Sequence, residues 1–298
     1  MKCLVTGGCG FIGSHIVDAL LALGHNVAVI DDLSTGHLSN LNKKATFIRG
    51  SILDYALVKT VTNKIDWVFH LAAWPRVPRS IKDPLGTHNV NVNGTLALLQ
   101  AARENLVSKF IYSSSSSVYG DQPTHIMTES MNPNPMSPYA LHKFIGEQYA
   151  TMFAKLFDMR IASLRYFNVY GPRQTTEGAY ALVIGKFIRL RDATEPLTVY
   201  GDGKQTRAYT FVDDVVRANI MAAQADLPSG QNLILNIGTA EETSVNEVAK
   251  KVGGKVVHIV PNPRGEFEER RKAADYTEAK TVIGWEPSVT FDEGMEIL

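Results

Sequence analysis

Four tyrosines in the sequence are followed four residues later by a lysine: Tyr55/Lys59, Tyr139/Lys143, Tyr200/Lys204 and Tyr276/Lys280. On a helix that spacing puts both side chains on one face. The ammonium then favours phenolate, so the tyrosine can accept a proton at the working pH. Spacing alone is weak evidence, because 11 tyrosines and 30 basic residues among 298 give roughly one tyrosine–base pair by chance. Local sequence separates the four. Tyr200 falls in YGDGK, a glycine-rich turn rather than a helix, and Tyr55 and Tyr276 have helical surroundings without a nearby hydroxyl cluster. Tyr139 follows Ser137-Pro138, an N-cap and a first helical residue, and lies downstream of the serine run Ser113–Ser117. A serine there can orient a substrate hydroxyl against the phenol. Tyr139 with Lys143 is the expected proton-transfer pair.

The second chemical signal is TGGCGFIG near the N-terminus, with Gly8, Gly10 and Gly13 in GxGxxG spacing and Gly7, Gly10 and Gly13 in GxxGxxG spacing. It stands after a strand pattern and opens a helix pattern. Such glycines let the backbone approach a pyrophosphate, which rests on the helix N–H groups and the positive helix end. Asp31, 21 residues after Gly10, ends the next strand pattern, where a carboxylate can accept hydrogen bonds from an adenosine ribose. A carboxylate there disfavours the extra phosphate of NADP, and residues 32–36 (DLSTG) supply no Arg or Lys to receive it. The expected cofactor is NAD, with Asp32, Ser34, Thr35 and Gly36 beside its adenosine half.

The elements that must position these groups follow from the apolar patterns. Lys2–Thr6, Asn26–Ile30, Thr46–Ile48, Trp67–Leu71, Lys109–Ser113 and Arg160–Arg165 read as strands, and Ser14–Leu23, Thr95–Asn105 and a stretch after Pro138 as helices. Alternating strands and helices, with near-continuously apolar strands, imply an α/β fold: a Rossmann-type, doubly wound parallel sheet covered on both faces. Past about residue 168 the alternation weakens. The expected division is a nucleotide-binding domain over 1–167 with a return segment over about 208–237, and a smaller, discontinuous lobe from 168–207 and 238–298.

Bulk properties narrow the partners. Lys+Arg equals Asp+Glu at 30 each, so no net charge draws the chain to nucleic acid or an anionic membrane. No apolar run approaches the roughly 18 residues that a bilayer span needs. Cys3 and Cys9 are the only cysteines and lack CxxC spacing, so two free thiols in a reducing compartment, the cytoplasm, are expected. The eight histidines show no HxH or HExxH spacing, and no metal is expected.

Together TGGCGFIG, HLAAW at 70–74, NVNGT at 91–95, SSSSVYGD at 114–121, SPYALHK at 137–143 and RYFNVYGPR at 165–173 resemble the extended short-chain dehydrogenase/reductases. Within them the chain is similar to the NAD-dependent epimerase/dehydratase family, in particular its UDP-galactose and UDP-N-acetylglucosamine 4-epimerases. The resemblance covers nearly the whole chain, with the motifs in the family's order. It implies Tyr139 as proton acceptor, Lys143 also holding the nicotinamide ribose, and Ser115, with Ser116 beside it, bonding the sugar. It implies NAD contacts from Phe11, Ile12, Asp31, Ile52, Leu71, Ala72, Ala73, Trp74, Asn91 and Phe167. Asn168 and Arg207 would grip the nucleotide diphosphate. Ser51 is a departure, since the family commonly has an Asp there on the adenine amine.

The reaction expected is 4-epimerisation of a UDP-sugar. Related dehydratases carry Asp-Glu immediately before VYG and sugar-acid decarboxylases a Glu, whereas this chain has Ser116-Ser117. Without a carboxylate there, elimination lacks its proton shuttle. A reductase on the same fold and a non-catalytic NAD-binding regulator are the rival readings, the latter disfavoured by the intact Ser115, Tyr139 and Lys143. The sugar stays open. The stretch Arg270–Asp275, with Arg270 and Lys272, is expected near it, and Arg76, Arg79, Arg173, Arg270 and Arg271 keep a UDP-glucuronate 4-epimerase in play. The family resemblance further implies a homodimer, to which the apolar helix after Tyr139 is suited.

Overall fold

The computed structural model describes residues 1–175, 183–260 and 271–298. Seven parallel strands form the central sheet: β1 (Lys2–Thr6), β2 (Asn26–Asp31), β3 (Thr46–Arg49), β4 (Trp67–His70), β5 (Lys109–Ser115), β6 (Ile161–Tyr166) and β7 (Asn232–Ile237). Their order is β3-β2-β1-β4-β5-β6-β7. The direction of winding reverses between β1 and β4, which opens a crevice beyond their carboxyl ends, the place where such sheets bind ligands.

Alternating side chains divide the core between the two faces. Val5, Val29, Phe69, Ile111 and Leu164 point to one side, where they meet Ile16, Val17 and Leu20 of the helix Phe11–Ala22 and Val215 and Ala222 of the helix Val212–Gln224. Leu4, Ile30, Val68, Phe110 and Ile161 point to the other, against Leu98 and Leu99 of the helix Gly94–Glu104 and Ala150 and Phe153 of the helix Pro138–Phe157. Burial on both faces is why the strands are apolar throughout, with every residue of β4 and β6 buried. Phe69 is fully buried between its neighbours, so truncation to alanine is expected to cost about 3–5 kcal/mol.

Two boundaries differ from the sequence reading by more than one residue. The first helix starts at Phe11 rather than Ser14, because the glycine run folds into the helix and Gly13 lies inside it. β5 continues two residues further, to Ser115, and carries the serines onto the end of the sheet.

The remaining strands are short and pair outside the main sheet. Val169–Tyr170 pairs with Thr210–Phe211, Leu197–Tyr200 with Val256–Ile259, and Thr206–Arg207 with Thr243–Ser244. Ile126–Met127 pairs with Ala273–Ala274, which lays the segment after the serine loop against the C-terminal region and brings Lys272 towards the crevice.

Candidate active site

A single cavity of about 780 Å³ runs from the glycine loop to the start of the helix Pro138–Phe157. At one end lies the turn after β1. Gly7 has φ +71°, and a Cβ there would stand 2.8 Å from the Ala72 nitrogen; a Cβ on Gly13 would collide with the Gly7 carbonyl oxygen. Glycine is therefore required for the loop to sit this close to the residues after β4. The helix that follows has Gly10 as N-cap and no side-chain cap, so its first-turn N–H groups open towards the cavity. That arrangement fits a pyrophosphate.

Asp31, 8 % exposed, closes this end. Its Oδ2 accepts from Cys9 N–H (3.0 Å) and its Oδ1 from Leu33 N–H (2.8 Å), so the carboxylate locks the glycine loop to the turn after β2 while still facing the cavity. Burial raises its pKa and the two backbone donors oppose that. Asp32, Ser34, Thr35 and Ile52 complete the wall here.

Leu71, Ala72, Ala73 and Trp74 form the floor. They are held from behind by Thr6 Oγ1, which accepts from Leu71 N–H (3.2 Å) and Ala72 N–H (3.1 Å). His70 lies between Thr6 and Thr95, at 2.8 and 2.9 Å, and burial drops its pKa to about 3, so it is a neutral strut. The Trp74 indole N–H reaches Ser34 Oγ across the crevice at 3.3 Å, and Arg79 stacks on its ring at 3.7 Å.

The chemical end is built on β5 and the helix Pro138–Phe157. Ser137 accepts from Ala140 N–H at 3.2 Å as N-cap, and Pro138 starts the helix. Tyr139, Lys143 and Glu147 then follow at four-residue intervals on one face. Lys143 donates to the Ser113 carbonyl at 2.7 Å. It is 4 % exposed, and burial pulls its ammonium down to about 8 against the opposing charge of Glu147. Glu147 is fully buried and accepts from Arg165 Nε (2.9 Å) and Nη2 (2.7 Å) and from the Ser114 hydroxyl. Tyr139 is half-buried; burial raises its phenol, while a hydrogen bond with Ser115 and the charge of Arg76 pull it back.

Ser115, Ser116, Tyr139, Lys143, Asn168, Arg207 and Lys272 all face this cavity, together with Gly7, Gly10, Phe11, Ile12 and Gly13. Four expected contacts are placed elsewhere. Asn91 is buried behind the floor and clamps Trp74, accepting from its N–H at 2.7 Å and donating to its carbonyl at 3.0 Å. Phe167 is fully buried in a small cluster with Tyr119 and Met127. Gly36 packs on the Cys9 backbone. Ser51 accepts from Leu53 N–H at 3.2 Å, while its neighbours Gly50 and Ile52 reach the wall. Arg270 lies outside the described residues.

The other three tyrosine–lysine pairs are engaged elsewhere. Lys59 bonds Glu104 (2.8 Å), Lys280 bonds Glu286 (2.6 Å), and Tyr200 stacks under Lys186. Sequence reading missed Arg76 as a neighbour of Tyr139, although its odd conformation, φ +89° in a residue with a side chain, is visible only in three dimensions. Among the described residues no group of His, Cys, Asp and Glu could hold a metal ion, and no helix is long and apolar enough to cross a membrane.

The model of the NAD-dependent epimerase/dehydratase family matches residues 3–238. This chain belongs to that family. Its cofactor is NAD, which the glycine loop, the uncapped helix and Asp31 could hold. A UDP-glucose 4-epimerase of Mycolicibacterium smegmatis is 41% identical over 307 residues, covering 99% of this chain and 96% of that protein. Among solved structures, the UDP-glucose 4-epimerase of Thermotoga maritima with UDP-glucose superimposes with a TM-score of 0.93 at 39% identity, covering 100% of this chain and 97% of that one. The UDP-glucuronic acid 4-epimerase of Bacillus cereus, bound to UDP-glucuronic acid and NAD, gives 0.89 at 34% identity, covering 100% and 97%.

Proposed function

We propose that this family member is a UDP-sugar 4-epimerase acting through transient oxidation at C4. One observation carries the reading. Among the described residues, the only carboxylates on the cavity wall are Asp31 and Asp32, at the glycine-loop end, whereas Ser115, Tyr139 and Lys143 meet at the other. An oxidation and its reversal need one proton acceptor at O4; an elimination needs a further acid–base pair at C5 and C6, and among the described residues no carboxylate stands at that end of the cavity.

In this reading NAD, when bound, supplies the reversible acceptor for the C4 hydride. Ser115 holds the sugar O4 hydroxyl against Tyr139, which takes its proton and returns it. Lys143, fixed by Ser113, anchors the nicotinamide ribose and keeps the helix face in register. Asn168 and Arg207 hold the diphosphate and Lys272 stands by the sugar, all from the small lobe of 168–207 and 238–298. The 4-keto sugar then turns its opposite face to the cofactor between the two hydride steps.

The preferred substrates are the UDP-glucose/UDP-galactose pair or its 2-acetamido counterparts. A UDP-glucuronate 4-epimerase is the second reading, favoured by the guanidinium groups of Arg76 and Arg79 on the wall. The exposed Leu141, Met152 and Leu156 on the helix Pro138–Phe157, with Ile81 and Leu85 on neighbouring helices, support a homodimer. Two buried free thiols, Cys9 pushed up to about 11 by burial, support a cytoplasmic setting.

The test is incubation of the purified protein, without added NAD, with UDP-glucose, UDP-N-acetylglucosamine and UDP-glucuronate in turn. C4 inversion of at least one is the expected result. Inversion of none, or net accumulation or consumption of NADH, overturns the reading.

A further inference from the structure

Two cations from different elements line the cavity with Tyr139, and they are held differently. Lys143, on the same helix, is committed to the Ser113 carbonyl at 2.7 Å and faces Glu147 behind it. Arg76 comes from the segment after β4. It faces the same cavity as Tyr139 and Ser115, and among the described residues no carboxylate pairs with it.

The Arg76 backbone is fixed to that of Tyr139. The Ser80 N–H donates to the Arg76 carbonyl (3.3 Å), the Ser80 hydroxyl donates to the Val77 carbonyl (2.8 Å), and the same oxygen accepts the Tyr139 N–H (3.0 Å). Ser80 is fully buried, so this bridge is dry. Arg76 itself has φ +89° and ψ 130°, a conformation that a side chain makes unfavourable and that glycine adopts freely. An arginine kept where a glycine would be relaxed, and tethered through one serine to the start of the catalytic helix, points to a role for its charge.

We infer that Arg76 is a positioning residue for the proton transfer: a permanent cation, tethered through Ser80, that sets the working pH range of Tyr139. This rests on the reading of Tyr139 as the proton acceptor. The groups that act on the phenol are Ser115 from β5, Arg76 from the segment after β4 and the buried Tyr112 on β5; Lys143, one turn along the same helix, lines the same cavity with its ammonium on the Ser113 carbonyl. Burial lowers the Arg76 guanidinium from its strongly basic ordinary value, yet an arginine keeps its charge in a protein, whereas Lys143 loses its proton near 8. The guanidinium therefore holds the phenol in reach of deprotonation where the ammonium is fading. The proton taken from the sugar hydroxyl resides on Tyr139 and goes back to the sugar; Arg76 exchanges none.

The experiment uses the NAD-loaded enzyme and whichever UDP-sugar it inverts, with kcat followed across pH in wild type and in Arg76→Gln, Arg76→Gly, Arg76→Lys and Tyr139→Phe. Arg76→Gly removes the charge while suiting the backbone, which guards against a folding defect. Loss of a cation beside the phenol is expected to move the alkaline rise in kcat up by about one pH unit, a loss of about tenfold at pH 7 that vanishes at high pH. Arg76→Lys should restore most of the shift. Tyrosinate absorbance, with Tyr139→Phe as the blank, should move in step.

An unmoved midpoint in both Arg76→Gln and Arg76→Gly overturns the inference. So does a loss confined to UDP-glucuronate, which would make Arg76 a carboxylate ligand. An active Tyr139→Phe overturns the proton-acceptor reading itself, and is distinguishable because it needs no Arg76 variant.

Discussion

The Lys143 ammonium lies 2.7 Å from the carbonyl oxygen of Ser113, so the helix that presents Tyr139 is pinned to the strand that presents Ser115. One contact thus sets the spacing between the Ser115 hydroxyl and the Tyr139 phenol, the groups proposed to orient the sugar and to take its proton.

Holding Lys143 charged works against the fold. Burial lowers its ammonium from 10.5 to about 8, so the folded chain releases that proton before the unfolded chain does. The stability this group contributes therefore rises between about pH 8 and pH 10.5, and below pH 8 the charge costs at most about 3 kcal/mol. Lys143→Met is expected to lose turnover yet melt higher than wild type at pH 7, with the gap closing as pH rises past 8. Thermal melts over that range measure it. A variant melting lower at pH 7 would show that the bond to Ser113 outweighs the desolvation.

Glu147 holds Arg165 and Ser114 in a dry network beneath Lys143. Removing one partner of a buried pair strands the other charge, so Glu147→Ala should cost about 3–5 kcal/mol in denaturant unfolding. A loss below about 1 kcal/mol, typical of an exposed pair, would contradict the burial argument.

Asn91 stands behind the cavity floor, yet both of its side-chain bonds go to the Trp74 backbone. Trp74 in turn spans the crevice to Ser34. Asn91→Ala should therefore loosen the floor and weaken NAD retention about tenfold, the effect of losing roughly 1.4 kcal/mol of hydrogen bonding. Cofactor content after gel filtration reads this directly, and content equal to wild type would show that Trp74 is positioned without the clamp.

Local signals were legible in the sequence, and contacts between distant segments were not. The glycine loop, Asp31 and the Ser137-Pro138 cap act over a few residues, and periodic apolar runs announced the parallel sheet. The same locality selected Tyr139 over three rival tyrosines. The tether from Arg76 through Ser80 to Tyr139 joins residues some 60 positions apart and leaves no trace in spacing. Asn91 was expected on the cofactor and instead braces its neighbour, because a motif records which residue is present and not which side of a loop it serves. The helix begins early for a related reason: glycine reads as a stop, but here the glycine turn runs straight into the helix.

The central claim is that one bound cofactor removes and returns the same hydride at C4. The most direct measurement uses a UDP-sugar deuterated at C4, whichever the protein inverts, with no NAD added. The account predicts epimerised product that keeps its deuterium at C4, with none released to water and no lasting NADH. Deuterium appearing in solvent, or inversion with the label lost, would contradict it.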